Sequence, residues 1–236
     1  MTRQALPSVP DDPSDIPTSA TPRVRVRRHP ERAAYDRQTI DAILDEALSC
    51  HVGFVQDDQP YVIPTVHARD GNQLYLHGSP GSRMLRVLKG GTSVCLTVTI
   101  HDGLVLARSA LHHSMNYRSV VVLGTAEEVV EPTETLNALR AIVEHIAPGR
   151  WEDIRPPNDR ELRQTAILRI SLEEASAKIR SGGPMGDEED LSLAVWAGTL
   201  PLRLLPQEPI TEERVPNHIA VPDYIRDHRL NKHGRP

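Results

Sequence analysis

The sequence has 236 residues, enough for one sizeable core or two small domains. Its 27 Lys and Arg against 32 Asp and Glu give a net charge of -5, which leaves no global positive field to attract nucleic acid or an anionic membrane. No apolar run reaches the about 20 residues that a bilayer span needs, and the N-terminus lacks the apolar stretch of a secretory signal. We therefore expect a soluble cytoplasmic protein that binds neither nucleic acid nor membranes.

Residues 1–22 contain five prolines and little that is apolar, so they cannot bury enough surface to offset the entropy of ordering. They are predicted to be a disordered N-terminal tail. A helix is predicted after Asp36, a good N-cap residue. Its apolar residues recur at i, i+3, i+4, i+7 and i+8 and define one buried face: Ile40, Ile43, Leu44, Ala47 and Leu48.

The hydrophobic period then changes to two. Residues 51–55, 61–68 and 73–77 are predicted strands, and Asp70-Gly71 is a typical hairpin turn. Ser79 is predicted to cap a short helix that begins at Pro80 and ends at Gly90-Gly91. This helix would turn three residues inward: Met84, Leu85 and Leu88.

The strands resume at residues 92–100 and 117–130, with a second hairpin predicted at Asp102-Gly103. A helix follows, with an apolar face made of Leu136, Leu139, Val143 and Ile146, and residues 165–172 are predicted to be the last strand. Short antiparallel strands at this spacing, with a few helices, predict a mainly β barrel with peripheral helices, an α+β fold. Residues 23–180 would form the barrel domain, and 181–236 an arm that packs on the barrel or on a partner subunit.

One stretch, "YLHGSPGSRMLR" at residues 75–86, has the layout of an anion cradle. A strand runs into a glycine-rich loop and then into a helix start, where unpaired amides favour an anion. Ser82 and Arg83 would bond phosphate oxygens, and Gly78 and Gly81 would let the backbone approach. The motifs of P-loop and Rossmann sites are absent. The alternative is an ordinary capped helix with a solvated arginine.

A second polar stretch, "SALHHSMNYRSVVV" at residues 109–122, enters a strongly apolar strand. Six of its side chains are candidates to converge on one ligand: His112, His113, Ser114, Asn116, Tyr117 and Arg118. The alternative for Asn116 and Arg118 is turn chemistry and a surface ion pair. Adjacent histidines on an extended chain point in different directions, so we expect no metal site here without another ligand nearby.

Five blocks of the sequence together resemble a known family. They are "RRHPERAAYDRQTIDAILDEALSCHVGFV", "YVIPTVHARDGNQLYLHGSPGSRMLRVL", "SVCLTVT", "HHSMNYRSVVVLGTAEEV" and "VWAGTLPL". They are similar to the pyridoxamine 5'-phosphate oxidase-related FMN-binding split-barrel proteins, and within these to the flavin-nucleotide-binding, nitroimidazole-reductase-like subgroup. The resemblance spans roughly residues 27–205, and the order of the blocks makes it specific.

The resemblance implies a split β-barrel of six or more antiparallel strands that binds FMN at a homodimer interface. It also implies an FMN-dependent oxidoreductase acting on a small molecule, with NAD(P)H as a possible reductant. His77 would lie near the flavin as the candidate catalytic residue. The implied cofactor contacts are Pro64, Thr65, Val66, His77, Gly78, Ser79, Ser82, Arg83, Ser114, Met115, Asn116, Tyr117 and Arg118.

Other interpretations stay open. His77 is also compatible with a structural histidine bonded to a loop carbonyl. The C-terminal "DYIRDHRLNKHGRP" does not match the substrate-binding set of the vitamin B6 oxidases, so that activity is not expected. A flavin carrier or redox sensor without turnover needs the same cradle, and related split barrels hold a deazaflavin or haem instead of FMN.

Overall fold

The computed structural model describes residues 21–228. The tail predicted to be disordered, residues 1–22, lies outside the described residues except for its last two. Thr21 donates a hydrogen bond to Glu174, 2.7 Å away, and Val24 is buried. The chain is therefore packed against the barrel from the first residue described.

The described residues form ten strands and five α-helices. The strands are β1 (Ala33–Ala34), β2 (Cys50–Gln56), β3 (Gln59–Thr65), β4 (His67–Asp70), β5 (Gln73–Gly78), β6 (Ser93–Leu106), β7 (Ser114–Glu128), β8 (Ala166–Ser171), β9 (Ala175–Arg180) and β10 (Gly198–Pro201). The helices are α1 (Arg37–Glu46), α2 (Arg83–Lys89), α3 (Pro132–Ile146), α4 (Asp159–Arg163) and α5 (Asp223–Arg226). The predicted mainly β, α+β class is confirmed. Of these helices, none is long and apolar enough to cross a membrane.

Antiparallel pairing organises the whole sheet, in the order β3-β2-β6-β7-β8-β5-β4. Strand β7 pairs with β9 over Tyr117–Val122 and with β8 over Ala126–Glu128, so the sheet divides along its length. Strand β1 extends the β9 edge, and β10 pairs with β6. The long β6–β7 ladder is therefore the spine that connects both halves.

Two glycine turns predicted from the same Asp-Gly signal have different outcomes. Gly71 has a φ of 54° and closes the β4–β5 hairpin, as predicted. The hairpin predicted at Asp102-Gly103 is wrong, because β6 runs straight through it with a shift of register between His101 and Gly103. Strand β10 covers this position: a Cβ on Gly103 would lie 2.9 Å from the carbonyl oxygen of Leu200.

Two strand boundaries also differ from the prediction. Residues 61–68 are not one strand, because the chain leaves β3 at Thr65 and starts β4 at His67, where it changes partner from β2 to β5. Residues 165–172 contain β8 but are not the last strand, since β9 and β10 follow.

Helix α1 confirms its prediction. The Asp36 side chain accepts a hydrogen bond from the Thr39 amide at 2.8 Å, and Ile40, Ile43 and Leu44 are buried. Ala47, just after the helix, is also buried, but Leu48 is 39 % exposed. One helix face thus closes the larger of two core clusters.

The predicted face of α3 is wrong at both ends, because Leu136 and Ile146 are 38 % and 48 % exposed. The buried side chains of this helix are Ala138, Ile142 and His145. Apolar residues occupy two neighbouring stripes of this helix, and the packing of Ala138 and Ile142 into the second core cluster selects one of them.

Helix α2 begins three residues later than predicted, at Arg83 instead of Pro80. Ser79 does not cap it. Its hydroxyl accepts from the Gly81 amide, and its carbonyl accepts from the Ser82 amide, so residues 79–82 form a turn before the helix. The predicted inward residues, Met84, Leu85 and Leu88, are buried, and Gly90 ends the helix.

Candidate functional site

His77 lies near the end of β5, opposite Ile167 of β8. It is half-buried, and burial lowers the pKa of its imidazole. Its Nδ1 atom is buried and has no hydrogen-bond partner within residues 21–228. A buried polar atom normally has a partner, so this nitrogen marks a place where a bound group or water belongs.

The loop after His77 leads to an arginine that is exposed and held in place. The guanidinium of Arg83 lies over the Tyr61 ring, 4.8 Å from its centroid, and forms no ion pair with any described residue. Stacking on an aromatic ring fixes the guanidinium plane while its N-H groups stay available to an anion. The loop packs tightly, since a Cβ on Gly78 would lie 3.1 Å from Leu85.

The predicted ring contacts lie beside this loop, on the β3–β4 connection. Pro64 is exposed and pairs with His51, Thr65 pairs with Cys50, and Val66 packs against the second core cluster. The structure thus places Pro64 and Thr65 on the same strand as Tyr61, the residue that supports Arg83.

The remaining predicted contacts, Ser114 to Arg118, lie toward the other end of the β6–β7 ladder. Gly53, Cys95 and Leu123 pair side by side across β2, β6 and β7, and so form one row of the sheet. Tyr61 of β3 lies one residue further along the strands, on the side away from Arg118. At about 3.3 Å per residue, Arg118 is about 20 Å from the row of Tyr61, and Ser114 about 30 Å. Within one chain, the loop around Arg83 and the segment from Ser114 to Arg118 therefore do not form one pocket. Pro64 is level with Val121 across the sheet, which places it only three residues from Arg118 along the strands.

Arg118 is held by two carboxylates that the sequence did not reveal. Its Nε and Nη2 atoms donate to Asp102 at 3.0 and 2.8 Å, and Nη2 also donates to Glu46 at 2.8 Å. The bonds to Glu46, followed by those to Asp102, raise the pKa of the guanidinium above its ordinary value despite partial burial. Arg118 therefore ties the end of α1 to the irregular part of β6.

Asn116 is buried and also has internal partners. Its Nδ2 donates to the carbonyl of Gly182 at 2.9 Å, and its Oδ1 accepts from Arg180. Arg180 is only 6 % exposed, and burial together with the nearby Arg32 lowers its pKa. The structure thus shows the side chains of Asn116 and Arg118 bonded to other residues of the same chain. Their role as cofactor contacts stays a prediction.

A buried histidine pair escaped the sequence analysis. The rings of His67 and His145 lie 4.9 Å apart, and their Nε2 atoms bond the carbonyls of Leu44 and Ala47 at 3.0 and 2.9 Å. Burial lowers the pKa of His67 to about 4. Both imidazoles bond the end of α1 through Nε2, and Nδ1 of His67 is buried without a hydrogen-bond partner among the described residues. Neither histidine stands in a motif, so no sequence signal identified them.

Taken by chemistry, the β5–α2 loop fits a molecule with an anionic group and a polar edge. Arg83 offers charge, and the amides of Arg83 and Met84 make no hydrogen bond within the described residues. His77 offers a buried nitrogen without a partner. Because α2 has only seven residues, its N-terminus contributes little, and the side chains of Arg83 and His77 must supply most of the attraction for the bound molecule.

Residues 36–179 match the family model described as pyridoxamine 5'-phosphate oxidase. Among solved structures, the flavocytochrome Anf3 from Azotobacter vinelandii is 38% identical, covers 89% of this chain and 98% of its own, and has a TM-score of 0.83. The FAD and haem binding protein from Mycobacterium smegmatis is 31% identical, covers 83% of this chain and 96% of its own, and has a TM-score of 0.79.

A putative 5-nitroimidazole antibiotic resistance protein from Bacteroides thetaiotaomicron is 25% identical, covers 62% of this chain and 86% of its own, and has a TM-score of 0.53. No curated protein sequence matches the chain. These similarities confirm the split-barrel fold that the sequence predicted.

Proposed function

The chain belongs to the pyridoxamine 5'-phosphate oxidase family of split β-barrels, and from that membership we propose that it is a flavin-binding redox protein that also binds haem. The observation that carries the proposal is its similarity, at 38% and 31% identity over most of its length, to a flavocytochrome and to an FAD and haem binding protein. This modifies the expectation of an FMN enzyme in favour of the haem alternative.

The flavin phosphate would bind at the β5–α2 loop. Arg83 is held by Tyr61, and Arg86 lies one turn later on α2, also exposed and without an ion pair among the described residues. Two unpaired guanidinium groups suit the two phosphates of FAD as well as the single phosphate of FMN. We favour FAD because the Mycobacterium smegmatis relative is named for it.

His77 would face the polar edge of the flavin. Its lowered pKa keeps the imidazole neutral at cellular pH, so one ring nitrogen donates a hydrogen bond and the other accepts one. A bound flavin supplies hydride and single-electron transfer, and the protein orients it and limits its contact with water. His77 provides the unpartnered nitrogen that such an edge requires.

A free imidazole is one of the side chains that can hold haem iron, beside Cys, Met and Tyr. The side chains of His51 on β2, His101 on β6 and His218 are exposed and make no hydrogen bond within the described part of the chain, unlike those of His67 and His145. Of these three histidines, His51 and His101 lie on the sheet. These two are the candidate iron ligands. His51 pairs with Pro64, one of the predicted ring contacts, which would bring haem near the flavin.

A homodimer is part of the proposal. The loop around Arg83 and the segment from Ser114 to Arg118 are too far apart to form one pocket in a single chain. If the β6–β7 ladder of a second copy ran in the opposite direction to that of the first, the loop around Arg83 of one chain would lie beside the segment from Ser114 to Arg118 of the other. The apolar side chains exposed on the arm after β9, among them Trp196 and Leu200, offer surface for that contact.

The absorption spectrum of the untagged full-length protein tests the proposal. We expect flavin bands and a haem Soret band, release of FAD on heating, and about one equivalent of each cofactor per chain. His51→Ala and His101→Ala, compared with each other, assign the iron ligand by loss of the Soret band. A protein that takes up neither cofactor on reconstitution would refute the proposal.

Turnover separates this proposal from the small-molecule oxidoreductase. Steady oxidation of NAD(P)H with a small-molecule acceptor, by protein that holds flavin but no haem, would favour the FMN enzyme. Reduction of haem through the flavin without such turnover would favour an electron-transfer protein.

A further inference from the structure

The segment between β9 and β10 carries a short acidic turn that faces the β6–β7 connection. Residues Glu188–Ser192 form a 3-10 helix with Asp187 at its N-cap. Across from it, Ala110–His112 form another 3-10 turn. One ring nitrogen of His112 and one carboxylate oxygen each from Asp187 and Asp190 all lie within 4.8 Å of one another.

The local backbone explains this convergence. Asp187 is the extended N-cap residue of this turn and Asp190 lies three residues later, inside its first turn, and their carboxylates come to the same side. Their neighbours Glu188 and Glu189 lie between these positions and do not belong to the cluster. The donor set therefore combines groups about 75 residues apart in the chain. It supplies the further ligand that the sequence analysis of His112 and His113 lacked.

The three groups do not satisfy one another. No ion pair joins His112 to either aspartate, and within residues 21–228 neither carboxylate has a hydrogen-bond donor or a cationic partner. Two like charges this close repel each other unless a cation lies between them. His112 and Asp190 are half-buried, which weakens the screening by water.

His112 is oriented by a contact outside the cluster. Its Nδ1 lies 2.6 Å from the hydroxyl of Ser109. When Nδ1 carries the proton and donates to that hydroxyl, Nε2 is unprotonated and its lone pair is available. Metal-binding histidines are usually fixed in this way by a partner on the other ring nitrogen.

We propose that His112, Asp187 and Asp190 bind a divalent transition metal ion, with water completing the coordination. One imidazole and two carboxylates form a donor set that Zn²⁺ and Mn²⁺ accept. The ion clamps the segment between β9 and β10 to the β6–β7 connection, and so fixes the start of the C-terminal arm. This site is independent of the proposed cofactors.

Calorimetric titration of Zn²⁺ into untagged, chelator-washed full-length protein tests the site. We expect one equivalent to bind, and His112→Ala and Asp190→Asn each to weaken binding at least about tenfold. Two matched controls are available. His113→Ala removes the adjacent imidazole, and Glu189→Gln removes an adjacent carboxylate, and both should leave the affinity unchanged.

Cleavage by a glutamate-specific protease tests the clamp. Zn²⁺ should slow cleavage after Glu188 and Glu189 in the wild type but not in His112→Ala, with cleavage after the exposed Glu212 as the internal reference. Absence of stoichiometric binding in the wild type, or equal affinity in all variants, would overturn the site. Specific binding that leaves the cleavage rate unchanged would overturn the clamp.

Discussion

Replacement of Arg118 by methionine is the most direct test of the network at the end of α1. The Arg118 side chain is 23% exposed, and those of Glu46 and Asp102 are 15% and 35% exposed. Removal of one partner from a fully buried ion pair costs about 3–5 kcal/mol, and an exposed pair contributes about 0–1 kcal/mol. For this partly screened cluster we expect Arg118→Met to lower the free energy of unfolding by about 2–3 kcal/mol.

Urea denaturation at neutral pH and low salt, followed by circular dichroism, measures this loss. Arg118→Lys keeps the charge but loses the fork that reaches both carboxylates, so its cost should be intermediate. The triple variant Glu46→Gln, Asp102→Asn, Arg118→Met should recover part of the loss, because the single variant leaves two carboxylates together. A cost below about 0.5 kcal/mol for Arg118→Met would refute the reasoning, since that is the size of ordinary surface effects.

Three further predictions concern other parts of the chain. Arg83→Ala should weaken flavin binding by about 1.5–3 kcal/mol, or about 10- to 150-fold in a fluorescence titration, while Arg140→Ala on the exposed side of α3 should not. Burial lowers the pKa of His67 from 6.5 to about 4, so as the pH falls the unfolded chain binds a proton at this histidine before the folded chain does. The free energy of unfolding should therefore fall by up to about 3 kcal/mol as the pH drops from 6.5 to about 4. In His67→Gln, the free energy of unfolding measured with urea should depend less on pH over this range. Gly103→Ala should detach β10, because the new Cβ would lie 2.9 Å from the carbonyl oxygen of Leu200. Trypsin should then cleave after Arg203 faster than in the wild type. An unchanged cleavage rate would contradict this.

Local signals predicted the elements whose determinants are local. The Asp36 cap and the burial of Ile40 and Leu44 needed only periodicity, and the turn at Gly71 needed only a glycine free to adopt a positive φ. The same Asp-Gly signal failed at Gly103, because a strand about 95 residues later covers it. Local sequence cannot report a partner that distant.

The candidate site divides in the same way. The loop from His77 to Arg83 is contiguous, and its unpartnered nitrogen and exposed guanidinium agree with the role predicted for it. Arg118 was singled out for a ligand, but its carboxylate partners lie 16 and 72 residues away in sequence. A polar residue before an apolar strand looks the same in sequence whether it meets a ligand or a distant acid.

The pairing of β1 with β9 has a consequence for synthesis of the chain. Ala33 meets Lys178, which leaves the ribosome about 145 residues later. At about 5–20 residues per second, the N-terminal part waits on the order of ten seconds for this partner. Strand β5 likewise waits for β8. During translation the nascent chain therefore exposes unpaired strand edges, and this is the interval in which chaperone binding or aggregation would compete with closure of the barrel.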